Sequence, residues 1–299
     1  MRITLIGASG FLGSSIVRKL RAEGHQLHLV GRKRPAELAE GIEFSAWPEE
    51  ADEPPPDALT GAEAIVNLAG EPVAQRWTPE VMKRIRLSRV DRTLQLAEAL
   101  AGQPSRPAVY VAASAIGFYG PRGDEALTEA SPPGRGYLAD VCVEWERAAE
   151  FVETLGVRTV RLRIGIALGA GGGALKEMAP PFRAGVGGKL GSGKQWMSWI
   201  HSDDVAGLVS FALAHNAASG AWNATAPHPV TNAEFTKALA KALHRPALFT
   251  VPEFALRLKY GDMATVMMAS QRVLPEAALR AGYTFLYPEL PAALASLRL

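Results

Sequence analysis

Short hydrophobic runs alternate with longer amphipathic stretches along the first half of the chain. The hydrophobic runs are rich in β-branched residues and read RITLIG, QLHLVGR, AEAIVNLAG, AVYVAAS and VRTVRLRIGIALG. Between the first two runs, FLGSSIVRKLRAEG places apolar residues at helical spacing. Strands that alternate with helices pair in parallel, because each helix carries the chain back across the sheet. The pattern therefore predicts an α/β fold with a doubly wound, mostly parallel sheet.

The pattern changes after about residue 168. A glycine-rich segment, residues 169–201, interrupts the alternation, and a helical stretch, SDDVAGLVSFALAHN, and a strand-like one, AWNATAP, then resume it. From about Val230 onward the tail reads as mainly helical. We therefore expect residues 1–168, completed by 202–226, to form one domain. Residues 169–201 and 227–299 should form a smaller, mostly helical second domain.

Three glycines follow the first predicted strand directly. Gly7, Gly10 and Gly13 form the pattern G-x-x-G-x-x-G and lead into the first predicted helix. Glycine allows a tight turn and a close approach of backbone to a pyrophosphate, while the N-terminus of the helix presents oriented N–H donors. A plain strand-to-helix turn would show the same residues. The strand before and the helix after the pattern favour a dinucleotide site.

The second predicted strand ends in basic residues. An Asp or Glu at this place would hydrogen-bond the ribose 2′-hydroxyl of NAD, but this chain has Arg32 and Lys33. Both can neutralise a 2′-phosphate, so the sequence favours NADP over NAD. The alternative is an exposed basic turn, which explains the charge but not the missing acid. After the fourth strand, Leu68, Ala69 and Gly70 form a small-residue turn that could lie close to the cofactor.

Composition and charge narrow the function classes. The chain has 299 residues, 48% of them hydrophobic, and its formal net charge of +2 gives no overall field that would favour nucleic acid or a membrane surface. No hydrophobic stretch approaches the roughly 20 residues of a membrane helix, so we expect a cytoplasmic protein. Cys142 is the single cysteine and no HExxH pattern occurs, so we expect neither an internal disulfide nor a metal.

Longer motifs resemble one protein superfamily. The order of GASGFLG, NLAG, SAIGFYG, WIHSDDV and AWNATAP resembles the extended short-chain dehydrogenase/reductases. More narrowly, FRAGVGGKLGSGKQWMSWIH, TNAEF and SQRVLPEAALRAGYTF resemble an atypical epimerase-like branch, the relatives of nucleoside-diphosphate-sugar epimerases. The resemblance covers essentially the whole chain. It implies a Rossmann-type NADP-binding domain and a C-terminal substrate domain that closes over a cleft.

The resemblance also implies which residues hold the cofactor. Arg89 stands where extended members usually have an asparagine, and it could reach a phosphate or ribose oxygen. The alternative interpretation is that Arg89 is simply one more charged residue on a basic helix. The expected cofactor residues are Gly7, Ser9, Gly10, Phe11, Leu12, Gly13, Arg32, Lys33, Leu68, Ala69, Gly70, Arg89 and Ile166.

The catalytic group of the wider superfamily is incomplete in this chain. Members combine a serine, a tyrosine and a lysine, and Ser114 and Tyr137 occupy the first two places. Val141 occupies the lysine place, so we expect Tyr137 to titrate near its reference pKa of about 10. Arg89, or a lysine from the glycine-rich segment such as Lys189 or Lys194, could substitute for the missing cation. On a helix, Val141, Trp145, Ala148 and Val152 form a stripe typical of core packing, and Cys142 is expected to be a buried structural thiol.

Two further residues are candidates for the substrate cleft. Tyr119, in GFYG, is expected to line it, and His201 begins the segment that returns the chain from the substrate side. For His201 the alternative is a cap on the helix that starts near Ser202. The stretch GKLGSGKQ is not a phosphate loop, because Gln195 replaces the required Ser or Thr.

Two functions remain open at this point. One is an NADP(H)-dependent oxidoreductase or epimerase acting on a small carbonyl or nucleotide-linked substrate, with an oligomer possible. The other is a non-catalytic NADP(H)-binding or redox-sensing module.

Overall fold

The computed structural model describes residues 1–35 and 37–299. Its strands are β1 (Arg2–Ile6), β2 (Gln26–Gly31), β3 (Glu43–Ala46), β4 (Ala64–Asn67), β5 (Val109–Ala115), β6 (Ala126–Leu127), β7 (Arg158–Ile164), β8 (Ile166–Gly169), β9 (Gly188–Leu190), β10 (Trp196–Met197), β11 (Trp199–His201), β12 (Gly220–Ala224), β13 (Val230–Thr231), β14 (Phe249–Val251) and β15 (Arg272–Val273). Its helices are α1 (Phe11–Ala22), α2 (Pro56–Leu59), α3 (Pro79–Leu87), α4 (Val90–Ala101), α5 (Tyr137–Thr154), α6 (Gly173–Arg183), α7 (Ser202–Ala214), α8 (Asn232–Ala242), α9 (Glu253–Tyr260), α10 (Met263–Met267), α11 (Glu276–Arg280) and α12 (Leu290–Ser296), with a 3-10 helix at Ile116–Tyr119.

Seven strands form the central sheet, in the order β12-β7-β5-β4-β1-β2-β3. Every neighbouring pair is parallel, and Ile6 of β1 lies opposite Val30 of β2 and Asn67 of β4. The chain runs outward in one direction from β1 to β3 and in the other from β4 onward. A crevice opens at such a reversal, beyond the carboxyl ends of the strands. The predicted doubly wound parallel sheet is confirmed.

Helices cover both faces of this sheet. Successive side chains of a strand point to opposite faces, and in β1 Ile3 and Leu5 join one buried cluster whereas Ile6 joins another. The first cluster continues through Ile16 and Leu20 of α1 and Val205 and Val209 of α7. The second continues through Leu96 and Leu100 of α4 and Val152 of α5. The sheet is therefore buried on both sides, which fits its near-continuous hydrophobic strands.

The glycine-rich segment and the tail form a second core. It includes Phe182 of α6, Trp199 of β11, Phe235 and Leu239 of α8, and Leu294 of α12. Between these two parts of the chain, α7 packs on α1 and β12 forms an edge of the central sheet. Within the tail, Ala278 and Phe285 pack into the core of the central sheet, which differs from the predicted grouping of all of residues 227–299.

The glycines after β8 let the chain lie against the ring of Phe11. A Cβ on Gly172 would lie 2.3 Å from Cδ2 of Phe11, and one on Gly169 would lie 2.5 Å from its Cζ. Only glycine fits this approach, so the segment ties the start of α1 to the second core. In the part of the chain that the structure describes, no helix is long and apolar enough to cross a membrane.

Candidate functional site

The turn after β1 brings backbone close to a second turn. Gly7 has φ +84°, donates its N–H to the Val30 carbonyl at 3.0 Å, and accepts from the Gly10 N–H at 3.1 Å. A Cβ on Gly7 would lie 2.9 Å from the backbone nitrogen of Ala69. The turn at residues 7–10 is thus packed directly against the turn at residues 68–70. This leaves a backbone-lined cradle at the carboxyl edge of β1 and β4.

The first turn of α1 faces this cradle. Gly10 is the N-cap and brings no side chain, and the Ser14 N–H donates to the Gly10 carbonyl at 3.1 Å. Phe11 and Leu12 are half-buried and Ser9 is exposed. The first N–H groups of a helix carry partial positive charge and lack intrahelical acceptors. The structure therefore places the predicted glycine-loop residues at the start of α1, where these N–H groups are available.

Asn67 shapes the second turn. Its side-chain oxygen accepts from the Ala69 N–H at 3.1 Å, and its side-chain nitrogen donates to the Tyr110 hydroxyl at 3.2 Å. Leu68 and Ala69 are half-buried and Gly70 is exposed. The buried amide fixes the turn from below, so the turn keeps its backbone facing the cradle.

The basic turn after β2 is on the surface. Arg32 pairs with Glu49 at 2.9 Å, and the two side chains are 63% and 64% exposed. Lys33 is also exposed. A surface ion pair of this kind contributes at most about 1 kcal/mol, so a better anion can displace Glu49. The turn remains available to a phosphate beside the carboxyl end of β2.

Arg89 packs against the turn at Gly70. A Cβ on Gly70 would lie 2.9 Å from Cζ of Arg89, and the guanidinium stacks over the ring of Trp145 at 5.3 Å. One nitrogen donates to the Ile85 carbonyl at 3.2 Å. Among the described residues, Arg89 has no acidic partner within 4.0 Å. Burial lowers the pKa of Arg89, yet a guanidinium stays charged at neutral pH.

Tyr137 begins α5 beside this arginine. Its hydroxyl donates a hydrogen bond to the Met82 carbonyl, and its ring meets Trp77 edge-on with centroids 5.2 Å apart. Burial raises the pKa of Tyr137, while the charge of Arg89 acts in the opposite direction and is outweighed. The phenol is therefore protonated at neutral pH. Of the cations predicted to replace the missing lysine, Arg89 is one whose charge acts on Tyr137. Lys189 lies in β9, where its aliphatic stem packs on Gly193.

The helix after Tyr137 is packed as the stripe predicts. Val141, Trp145, Ala148 and Val152 are all buried, and so is the thiol of Cys142. Burial is the main cause that raises the pKa of Cys142 to about 12, and the nearby negative charge of Glu146 adds to it. The predictions of a packing face and of a structural thiol are confirmed.

Ser114 lies in a buried network formed by β5, α5 and β7. Its hydroxyl donates to Glu146 at 2.6 Å, and Glu146 accepts two hydrogen bonds from Arg163, each at 2.8 Å. All three residues are buried. Ser114 and Tyr137 share no hydrogen-bond partner among the described residues, so the structure does not bring the two predicted catalytic hydroxyls onto one acceptor.

Tyr119 belongs to the same network and does not line a cleft. It is fully buried, its hydroxyl donates to Asn223 at 2.6 Å, and Arg163 donates to that hydroxyl at 2.9 Å. The prediction that Tyr119 faces the substrate is corrected here. A tyrosine in a strand-to-loop segment gives no indication of which neighbour takes its hydroxyl, and here β7 and β12 supply the partners.

His201 caps a helix, as the alternative interpretation stated. Its Nδ1 accepts from the Asp203 N–H at 3.1 Å at the start of α7, and its ring packs on Tyr287 at 4.1 Å. Burial lowers the pKa of His201, so the ring is neutral and Nδ1 is free to accept. Its placement in the substrate cleft is therefore not supported. Ile166, expected near the nicotinamide, is half-buried in β8 opposite Trp199.

Several residues that contribute to this site could not be predicted from the sequence. The backbone N–H of Glu71 donates to the Ser88 hydroxyl at 2.9 Å, and the Glu71 carboxylate lies 4.0 Å from the Arg32 guanidinium. The Met82 carbonyl and the Trp77 ring reach Tyr137 from α3 and the loop before it. A backbone carbonyl leaves no sequence signal. For Trp77, the helical and strand-like patterns of the sequence give no indication.

Comparison with known proteins fits this geometry. A sequence model described as the NAD dependent epimerase/dehydratase family matches residues 3–225, which span the central sheet. The chain belongs to this epimerase family. A second model, a domain of unknown function (DUF1731), matches residues 251–297 and covers α9 to α12.

Relatives within the epimerase family match the whole chain. A chloroplastic SDR39U1 homologue from Arabidopsis thaliana is 40% identical, with 96% of this chain and 84% of the relative covered. The human epimerase family protein SDR39U1 was crystallised with NADPH, and it matches with a TM-score of 0.87 and 33% identity over 100% of this chain and 99% of that one. A nucleoside-diphosphate sugar epimerase from Corynebacterium glutamicum matches with a TM-score of 0.81 and 35% identity over 100% of this chain and 58% of that one.

Proposed function

We propose that this chain is an NADPH-dependent oxidoreductase of the epimerase family that reduces a carbonyl group, with Tyr137 as proton donor. The observation that carries the proposal is Arg89. Its half-buried guanidinium has no ion-pair partner among the described residues, and it packs against the Gly70 turn with its charge acting on Tyr137. A partly desolvated cation without such a partner is stabilised when an anion joins it. A cofactor phosphate or ribose oxygen at the Gly70 turn would supply that partner.

The residues present fit NADPH. A Cβ on Gly7 would clash with the backbone of Leu68 and Ala69, so this turn requires glycine, and the α1 N-terminus beside it offers N–H donors to a pyrophosphate. Arg32 and Lys33 offer positive charge to a 2′-phosphate, and the exposed pair with Glu49 can be exchanged for it. NADPH in the human relative supports the same assignment.

The protonation of Tyr137 favours reduction over epimerisation. An epimerase of this type begins by removing a proton from a substrate hydroxyl, which needs a phenolate or another base. A phenol whose pKa is raised is a poor base but a competent proton donor. The sequence left oxidoreductase and epimerase open, and this geometry favours the first.

The proton balance of the reduction follows from the site. When bound, NADPH supplies the hydride that forms the new C–H bond at the carbonyl carbon. Tyr137 exchanges the Met82 carbonyl for the substrate oxygen and gives up its proton to it, so that an O–H bond forms there. Arg89 then faces the phenolate and stabilises its charge until solvent returns a proton. We assign the cofactor-positioning role to Arg89 and leave Ser114 in a supporting role beneath the site.

A single-turnover experiment tests the proposal. The protein is saturated with NADPH, mixed with carbonyl compounds, and the loss of nicotinamide absorbance is followed. Tyr137→Phe should slow this loss at least about a hundredfold, the usual scale for a general acid. Tyr287→Phe, at a half-buried ring that packs on His201, is the matched control and should leave the rate unchanged.

Cofactor binding is measured separately by fluorescence titration. Arg89→Leu should weaken NADPH binding about 10- to 100-fold, because a charged hydrogen bond contributes roughly 1.5–3 kcal/mol. Arg89→Lys should recover part of the loss. If NADPH binds tightly and no carbonyl compound consumes it, the catalytic part is wrong and a non-catalytic NADPH-binding module is favoured.

A further inference from the structure

We infer that the substrate reaching Tyr137 is an apolar aldehyde or ketone without a diphosphate. This inference rests on the proposed function and names the substrate class of the same site. It departs from the nucleotide-linked substrates that the wider epimerase family suggests. The inference comes from the side chains that surround the phenol.

The inner wall around Tyr137 is hydrophobic. Trp77, Val81 and Ile85 are buried in one cluster with it, and they come from α3 and the loop before it. Met82, half-buried in the same cluster, lies beside them. A substrate whose carbonyl approaches the Tyr137 hydroxyl would have its substituents against this wall.

The outer wall comes from the region matched by DUF1731. Met263 and Val266 of α10 are half-buried and pack in the same cluster. The loop that carries Trp77 is tied to the preceding helix α9, because the Trp77 N–H donates to the Tyr260 carbonyl at 3.2 Å and Arg76 donates to the Leu258 carbonyl. The loop and the two helices thus form one cover over Tyr137, with a buried base and a half-exposed rim.

Two arginines beside this cover are already engaged. Arg76 is held by backbone carbonyls of α9, as described, and Arg86 pairs with Glu144 at 2.6 Å and with Asp91 at 3.2 Å. A diphosphate needs cations or aligned N–H donors when it leaves water. Arg89 faces the inner side of Tyr137, where the Gly70 turn and the proposed cofactor lie. The surroundings of Tyr137 therefore suit an alkyl or aryl group better than a sugar nucleotide.

A chain-length series tests the substrate class. The NADPH-saturated protein is given 2-butanone, 2-hexanone and 2-octanone, and, as the polar comparison, a UDP-4-keto sugar. We expect kcat/KM to rise about fourfold for each methylene, which corresponds to about 0.8 kcal/mol of buried CH₂. The UDP-4-keto sugar should be reduced more slowly than 2-octanone.

Met263 of the cover and Met268, which follows α10 and lies outside the cover, allow a matched pair of variants. Met263→Gln keeps the length of the side chain but adds a polar group to the wall, so it should flatten the dependence on chain length. Met268→Gln is the control, because the Met268 side chain packs on Gly191 and not on Tyr137. A Cβ added to Gly191 would lie 2.7 Å from the Met268 methyl group. Met268→Gln should keep the wild-type dependence.

The outcomes separate this inference from the proposed function. Equal rates for all three alkanones, or faster reduction of the UDP-4-keto sugar, would overturn the apolar substrate class while the oxidoreductase assignment stands. NADPH binding without oxidation by any alkanone would also overturn it and leave the cofactor assignment intact. Failure of NADPH to bind in a parallel titration would overturn both.

Discussion

Around Gly7 the carboxyl edge of the sheet presents backbone, whereas around Tyr137 it presents side chains from three separate segments. The Gly7 region is built from two tight turns, packed so closely that a Cβ on Gly7 would lie 2.9 Å from the Ala69 nitrogen, and its binding groups are N–H donors. The Tyr137 region is built from α3, α5 and α10, and its character comes from ring and methyl contacts. Arg89 lies between them, with its guanidinium against Gly70 and its charge acting on Tyr137.

The comparison teaches where each kind of specificity resides. Backbone geometry can bind the invariant part of a dinucleotide, since a pyrophosphate needs only aligned N–H groups. Side chains from separate segments can change without disturbing the sheet, so they are free to select a substrate. In this chain the Gly7 region joins two backbone turns, while the region around Tyr137 combines a missing lysine with an apolar cover.

The reactivity of Cys142 tests how tightly α5, the helix that begins at Tyr137, is packed on its inner side. The thiol lies on α5 five residues after Tyr137, and burial raises its pKa to about 12. At pH 8 its reaction with an aromatic disulfide reagent should be about a thousandfold slower in the folded protein than in the unfolded chain, because only the thiolate reacts. Similar rates in the two states would show that this region opens freely to solvent.

Substitution of Gly7 tests the cofactor region. Gly7→Ala forces a Cβ into the φ +84° turn, 2.9 Å from Ala69, so NADPH affinity should fall at least about a hundredfold as the cradle shifts. Gly24→Ala is the matched control, because Gly24 has φ +81° with open space around it. It should cost about 1 kcal/mol of stability, measured by denaturant unfolding, with no change in NADPH affinity. Equal NADPH affinity of the Gly7→Ala and Gly24→Ala variants would contradict the assignment of the Gly7 turn to cofactor binding.

Charge at Arg32 tests cofactor selectivity within the same region. Arg32→Asp should weaken NADPH about 10- to 100-fold and leave NADH nearly unchanged, because only NADPH carries the 2′-phosphate. Glu49→Gln releases Arg32 from its pair at 2.9 Å and should strengthen NADPH slightly. Titration of both cofactors measures the selectivity. Equal weakening of NADPH and NADH by Arg32→Asp would contradict the assignment.

The two regions differ in how far the sequence predicts them. Gly7, Gly10 and Gly13 could be read from spacing, because a close backbone approach requires glycine and few other residues signal it. The packing stripe of α5 followed from helical periodicity in the same way. The partners of Tyr137 could not be read, since Met82 contributes a carbonyl and Met263 arrives from 126 residues away in the chain.

Buried polar residues were the least predictable. Tyr119 was expected in a cleft, but Arg163 and Asn223, which lie opposite each other on the paired strands β7 and β12, hold its hydroxyl in the interior. His201 was assigned both to the cleft and to a helix cap, and the Asp203 N–H decides for the cap. A sequence shows that such groups need partners but not which neighbours supply them.

The pH dependence of single-turnover NADPH oxidation tests the central claim most directly. If Tyr137 donates its proton as a neutral phenol, its raised pKa keeps it protonated across the neutral range. The rate should then be constant from about pH 6 to about pH 9 and should fall only above the ordinary tyrosine pKa of 10.0, as the proton is lost. Tyr137→Phe should abolish this fall. A wild-type rate that already declines near pH 7 would show a lowered pKa and contradict the account.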